Sequence, residues 1–128
     1  MRKRIVALLC LFVLTSCDSN ISQAREAYPP TTKKLQQSVI VSWYKHGRVT
    51  ANGERFNPNG LTVAHKSLPF GTKVRFTNPN TGSSVVLRVN DRGPFIKGRQ
   101  FDLTLRAAKI LGFVDEGVSK LNVEIFNR

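Results

Sequence analysis

Cysteine is scarce in this chain of 128 residues: there are two, Cys10 and Cys17, beside two histidines. No Cys/His spacing of the kind that holds a metal is present, and no cofactor is implied. Long apolar runs are missing too. The unbroken stretch over residues 5–14 is too short for a membrane-spanning helix, which needs about 20 residues. Acidic residues are few, eight against twenty Lys and Arg, for a formal charge of +12. Charge of that size bears on partners, not on fold. No internal repeat is found.

What is there begins with an export signal. Arg2-Lys3-Arg4 is a positive n-region, and residues 5–14 suit the apolar core of a signal peptide. Leu14-Thr15-Ser16-Cys17 resembles the lipobox of bacterial lipoproteins. The resemblance implies cleavage after residue 16 and a lipid on Cys17; the alternative is a plain secretory signal with a free thiol. Cys10 leaves with the signal, so no pair remains for a disulfide. Two or more acyl chains anchor stably, at about 0.8 kcal/mol per buried methylene. Asp18 resembles an inner-membrane retention signal of enteric bacteria. Residues 17–37 are rich in Ser, Gln, Thr and Lys around Pro29-Pro30, and read as a lipidated flexible tether.

Residues 38–128 form one small domain. Residues 38–44 are β-branched and aromatic, residues 73–77 alternate with period two, residues 78–82 are a turn cluster, and residues 84–89 give the next strand. A hairpin is expected over 73–89, and a last strand over 120–126. Leu103, Ala107, Ile110 and Leu111 share one helical face, with Thr104 as N-cap and Gly112 as stop. Asp102 is then explained by the helix dipole. Several short strands and one short helix predict a mainly β fold, a small barrel.

Of the +12, three charges leave with the signal, so the exported chain carries +9. The basic residues are spread along the strands, and an exported protein rarely meets nucleic acid, so that partner is excluded. The cell wall offers another polyanion. Within Val89-Asn90-Asp91-Arg92-Gly93-Pro94-Phe95, a strand delivers Asp91 to the mouth of a turn. There it either caps the turn or faces a ligand.

Three stretches together carry a resemblance: residues 46–56, with Ala51-Asn52-Gly53-Glu54; residues 61–72, with Ala64-His65-Lys66; and Asn90 to Pro94. Behind a lipobox, they resemble the rare lipoprotein A family, the septal-ring lytic transglycosylases. The resemblance implies a six-stranded double-psi β-barrel that cleaves peptidoglycan glycan strands between N-acetylmuramic acid and N-acetylglucosamine, leaving 1,6-anhydro ends. It implies catalytic roles for Asp91, Glu54 and His65, and substrate contacts for Trp43, Tyr44, Asn52 and Arg92. It also implies the cell envelope as location and cell-division proteins as partners. Asn57 stands where the family often has Asp, which favours a non-catalytic, expansin-like wall-binding module as the alternative. A hydrolase pairing Asp91 with Glu54 is the third reading.

Breaking a glycosidic bond requires a proton on the leaving oxygen. An ordinary Asp titrates near 3.9, so Asp91 would need an apolar surround or Glu54 nearby to hold a proton. His65 would bond Asp91 or substrate. Arg92 would hold a lactyl or peptide carboxylate, or brace its loop.

Cys17→Ala should move the chain out of the membrane fraction. Fractionation of expressing cells checks this, and a variant that stays with the membranes contradicts the anchor.

Overall fold

Apolar residues at every second position build the sheet, because successive side chains of a strand face opposite ways. The computed structural model describes residues 37–126. The expected signal peptide, Cys17 and all of the tether but Gln37 lie outside them. Six strands and one helix follow in order: β1 (Gln37–Tyr44), β2 (Thr62–His65), β3 (Lys73–Thr77), β4 (Ser84–Asp91), β5 (Phe101–Thr104), α1 (Leu105–Leu111) and β6 (Val118–Phe126). The strands close into a barrel in the order β1-β5-β2-β4-β3-β6. The β1–β5 and β2–β4 contacts are parallel, and the other four are antiparallel. This is the six-stranded double-psi β-barrel that the resemblance implied. The expected hairpin is β3 with β4, joined at Thr77↔Ser84.

Val41, Val63, Val74, Phe76, Leu87, Val89, Leu103 and Leu121 point inward and are fully buried. Each such side chain contributes about 1.5–3 kcal/mol by leaving water. Phe76 meets Phe101 edge to face, with ring centroids 5.1 Å apart. The helix contributes Ala107, Ala108 and Leu111, joined in the core by Phe113.

The ends of α1 follow the expected chemistry. The Thr104 hydroxyl accepts from the Ala107 amide, and Gly112 takes the left-handed conformation, φ 76°, that ends the helix. Two expectations need correction. Leu103 belongs to β5, and Ile110 is 39% exposed, so the buried face is shorter than the periodicity suggested. Asp102 also lies on β5 and does not serve the helix dipole; the first turn of α1 holds no acidic residue.

Thr104 has a second task, donating its hydroxyl to the Gly60 carbonyl at 2.7 Å. It thereby ties the loop after residue 55 to the helix start. Thr104→Ala should cost about 1–2 kcal/mol from the lost cap and hydrogen bond. Urea unfolding measures this, and an unchanged midpoint contradicts it.

Candidate functional site

Strict alternation along β4 would send Asp91 into the barrel interior. Leu87 and Val89 face inward and are fully buried, and Asp91 is the next residue in that phase. A bulge prevents this. Val63 pairs with Val89, but the next residue, Ala64, pairs with Asp91, so β4 spends one extra residue, Asn90. Such a bulge re-aims a side chain. Val63 faces the core, so Ala64 and its lateral partner Asp91 face outward. On the other side of β2, Ala64 pairs with Asp102, and Asp102 pairs with Ser42 on β1. Asp91, Ala64, Asp102 and Ser42 thus form one lateral row on the outer face.

A cavity of about 350 Å³ opens over this row, lined by Tyr44, His46, Ala64, Asp91, Arg92, Gly93, Pro94, Phe95, Ile96 and Asp102. Asp91 is its most heavily bonded group. Its Oδ1 accepts from the Ala51 amide at 3.0 Å and from the Arg92 amide at 2.9 Å. Its Oδ2 accepts from the Tyr44 hydroxyl at 3.1 Å. Burial, then the charge and hydrogen bond of Asp91, push the Tyr44 hydroxyl well above the usual phenol range, so Tyr44 stays a donor. Its ring stacks on Phe56, centroids 4.7 Å apart.

Asp102 is half-buried, and its Oδ1 accepts from the Ser42 hydroxyl at 2.9 Å. Burial raises its carboxyl above the ordinary Asp range, and the charge of Asp91 adds to this; Ser42 and Arg99 work against it. A place two residues before the N-cap Thr104 gives Asp102 a local explanation in the sequence. The available signal was strand phase: Phe101 and Leu103 are the apolar positions, which puts Asp102 on the face of Ala64.

Glu54 lines a different cavity, with Arg55, Asn57, Thr62, Arg88 and Asn90. Arg88 grips it with both terminal guanidinium nitrogens, Nη1 to Oε1 and Nη2 to Oε2, the latter at 2.8 Å. Asn52 Nδ2 donates to Oε1 and Asn90 Nδ2 to Oε2. Hydrogen bonding from Arg88, then from Asn52, pushes its carboxyl down to about 2. Glu54 therefore does not supply the proton-holding influence expected of it at Asp91. Asn52 is also occupied inside its own loop, accepting from Thr50 Oγ1 and the Glu54 amide. The loop turns at Gly53, φ 90°, and the Asn52 amide donates to the Asn90 carbonyl at 3.2 Å. Together these bonds hold the Ala51 amide against Asp91.

His65 is a turn brace rather than a partner of Asp91. Its Nδ1 accepts from the Ser67 and Leu68 amides at 3.1 and 3.0 Å, which requires that nitrogen to be unprotonated. Burial lowers its pKa further, as do Arg92 and Lys66. Its ring lies 4.6 Å from that of Phe101. Arg92 donates to the Leu68 carbonyl at 2.8 Å and to that of His65. Its guanidinium sits 3.9 Å over the Phe70 ring, so it braces the loop while lining the cavity. Trp43 packs on the core and donates to the Val114 carbonyl at 3.1 Å; it does not line the cavity. The exposed apolar residues there are Phe95, 81% exposed, and Ile96, neither singled out from sequence.

The family model described as lytic transglycolase matches residues 36–123. A protein of Nostoc sp., "Probable endolytic peptidoglycan transglycosylase RlpA", is 56% identical over 100 residues, 74% of this chain and 27% of that protein. The Rickettsia felis "Endolytic peptidoglycan transglycosylase RlpA" is 46% identical over 102 residues, 75% of this chain and 45% of that one. Its namesake in Neisseria meningitidis serogroup A is 41% identical over 114 residues, 85% of this chain and 48% of that one. The chain thus spans less than half the length of these relatives. Among solved structures, the Streptomyces papain inhibitor superposes with a TM-score of 0.59 at 19% identity, over 77% of this chain and 98% of that one. That likeness concerns fold alone.

Glu54→Gln tests the bracing pair. Glu54 has a folded pKa below its unfolded one, so its contribution is full above about pH 4.5 and lost as pH falls through about 2. The pair is partly exposed, so the gap in unfolding free energy from wild type should be at most about 1 kcal/mol near pH 7. It should close between those pH values. Denaturant titrations at stepped pH check this, and a gap that persists at pH 2 contradicts it.

Proposed function

Because this chain belongs to the lytic transglycolase family, we propose that it cleaves peptidoglycan glycan strands internally, between N-acetylmuramic acid and N-acetylglucosamine, leaving 1,6-anhydro-muramic acid ends. The observation that supports this most is Asp91, a carboxylate turned out of the barrel by a bulge and fixed by three donors in an open cavity. The names of the relatives point to the same substrate.

The reaction needs no water. The 6-hydroxyl of the muramic acid attacks its own anomeric carbon, the glycosidic oxygen leaves with a proton, and the hydroxyl gives one up. Both proton movements call for carboxyl groups beside the reacting atoms, and general acid–base catalysis typically contributes about 100- to 10,000-fold. Asp91 acts on those atoms directly. Tyr44 sets the direction of its Oδ2, and the Ala51 and Arg92 amides fix Oδ1. Asn52 and Glu54 are positioning residues, since they hold the loop that presents Ala51. His65 and Arg92 position the opposite rim. Phe95 and Ile96 offer an apolar surface at the mouth of the cavity for a sugar face.

The same reading carries the lipid anchor at Cys17 and a place in the cell envelope, facing the wall from the membrane. The excess of basic residues suits a wall polymer that carries lactyl and peptide carboxylates.

The test is mass spectrometry of what the full chain, in mild detergent, releases from intact and from peptide-stripped sacculi. Fragments ending in 1,6-anhydro-muramic acid are expected from wild type, and none from a folded Asp91→Asn variant. Reducing-end fragments would make the enzyme a hydrolase and contradict the proposal.

A further inference from the structure

The cavity over β2 holds two carboxyl groups, in unlike surroundings. Asp91 and Asp102 are the lateral neighbours of the same residue, Ala64, one on each side. Their α-carbons are therefore about two strand spacings apart, roughly 9.6 Å. Between them stands a methyl group, the smallest side chain that keeps the strand regular. The resulting gap opens on the cavity that Ala64, Asp91 and Asp102 all line.

The two groups are bonded differently. Asp91 accepts three hydrogen bonds, spread over both oxygens. A carboxylate has about four acceptor sites, so these bonds fix both oxygens and leave one site, on Oδ2, at which a proton can be received. Asp102 accepts one, from Ser42 to Oδ1. Among the described residues nothing bonds to its Oδ2.

We propose that Asp102 is the second catalytic residue of this cavity: it protonates the departing glycosidic oxygen, while Asp91 takes the proton of the attacking 6-hydroxyl. This assignment rests on the transglycosylase reading. The proton leaves Asp102 Oδ2 for the glycosidic oxygen as the bond from that oxygen to the anomeric carbon breaks. The 6-oxygen bonds to the same carbon, and its proton goes to Asp91. Solvent then returns the proton from Asp91 to Asp102, so none is gained or lost over the cycle. The partial burial that raises the Asp102 carboxyl, helped by the charge of Asp91, keeps it protonated to higher pH than an exposed Asp. The other ionisable or charged groups around it are Tyr44 on β1, His46 and Arg92 at the cavity wall, and Arg99 before β5.

The test uses the full chain in mild detergent on isolated sacculi, reading both total release and the chemistry of the ends. Asp102→Asn should lower release at least about 100-fold with sacculus binding and thermal midpoint retained. Ser42→Ala removes a hydrogen bond that favours the charged form of Asp102. It should move the alkaline limb of the rate to higher pH, whereas a purely structural Ser42 would lower the rate at every pH and leave the limb in place. The limb decides the question even if Asp102→Asn does not fold. Release by a folded Asp102→Asn above about a tenth of wild type overturns the assignment, as does an unmoved limb in Ser42→Ala. If the ends are still anhydro, the transglycosylase reading survives that failure. Reducing ends from wild type overturn the transglycosylase, while loss of release in Asp102→Asn would still support Asp102 as the acid. No release by wild type overturns both.

Discussion

Ala64 faces an aspartate on each side, and the candidate site depends on that register. It arises because barrel closure places β2 between β4, parallel to it, and β5, antiparallel to it. A one-residue slip of either neighbour would turn a carboxylate to the opposite face. On β4 the correct face is reached only through the bulge at Asn90. The same residue shows what that costs: Asn90 is buried, and its Oδ1 has no hydrogen-bond partner among the described residues. Local polar frustration of this kind is tolerated where the displaced strand end has a task.

The loop carrying Asn52 and Glu54 is braced against β4. It is short, turns at Gly53, and is fastened to β4 at two points, the Glu54–Arg88 ion pair and the Asn52 amide on the Asn90 carbonyl. Both fastenings converge on the residues beside Asp91, so the Ala51 amide arrives there without a flexible search. His65 and Arg92 do the same for the far rim: an acceptor nitrogen organises the turn after β2, and a guanidinium ties that turn to the loop after β4. Charged and titratable residues here thus brace the two rims of the cavity.

Much of the fold was legible in the sequence. Alternation marked β3 and β6, β-branched and aromatic residues marked β1, and Thr104 and Gly112 marked the helix, because these signals are local. The barrel's closure and strand order were not, since pairing β1 with β5 joins residues some 60 positions apart. Asp91 was legible through the turn that follows it. Asp102 was not, because its meaning comes from lateral neighbours on β2 and β1, while its local context, two residues before a good N-cap, offered a sufficient explanation. Trp43 misled for a related reason: an aromatic near a domain entrance suits stacking on sugar, yet its indole is held by the core and by the Val114 carbonyl. Phe95 is exposed although it follows directly on Gly93 and Pro94, both buried.

With Asp91 and Asp102 in the roles proposed, the bond that breaks lies in the gap over Ala64. A crystal structure of Asp102→Asn with a peptidoglycan tetrasaccharide bound measures this directly. The scissile glycosidic oxygen should lie beside residue 102, with the muramic acid 6-hydroxyl toward Asp91. A tetrasaccharide seated instead against Glu54 and Arg88, with the gap empty, would contradict it.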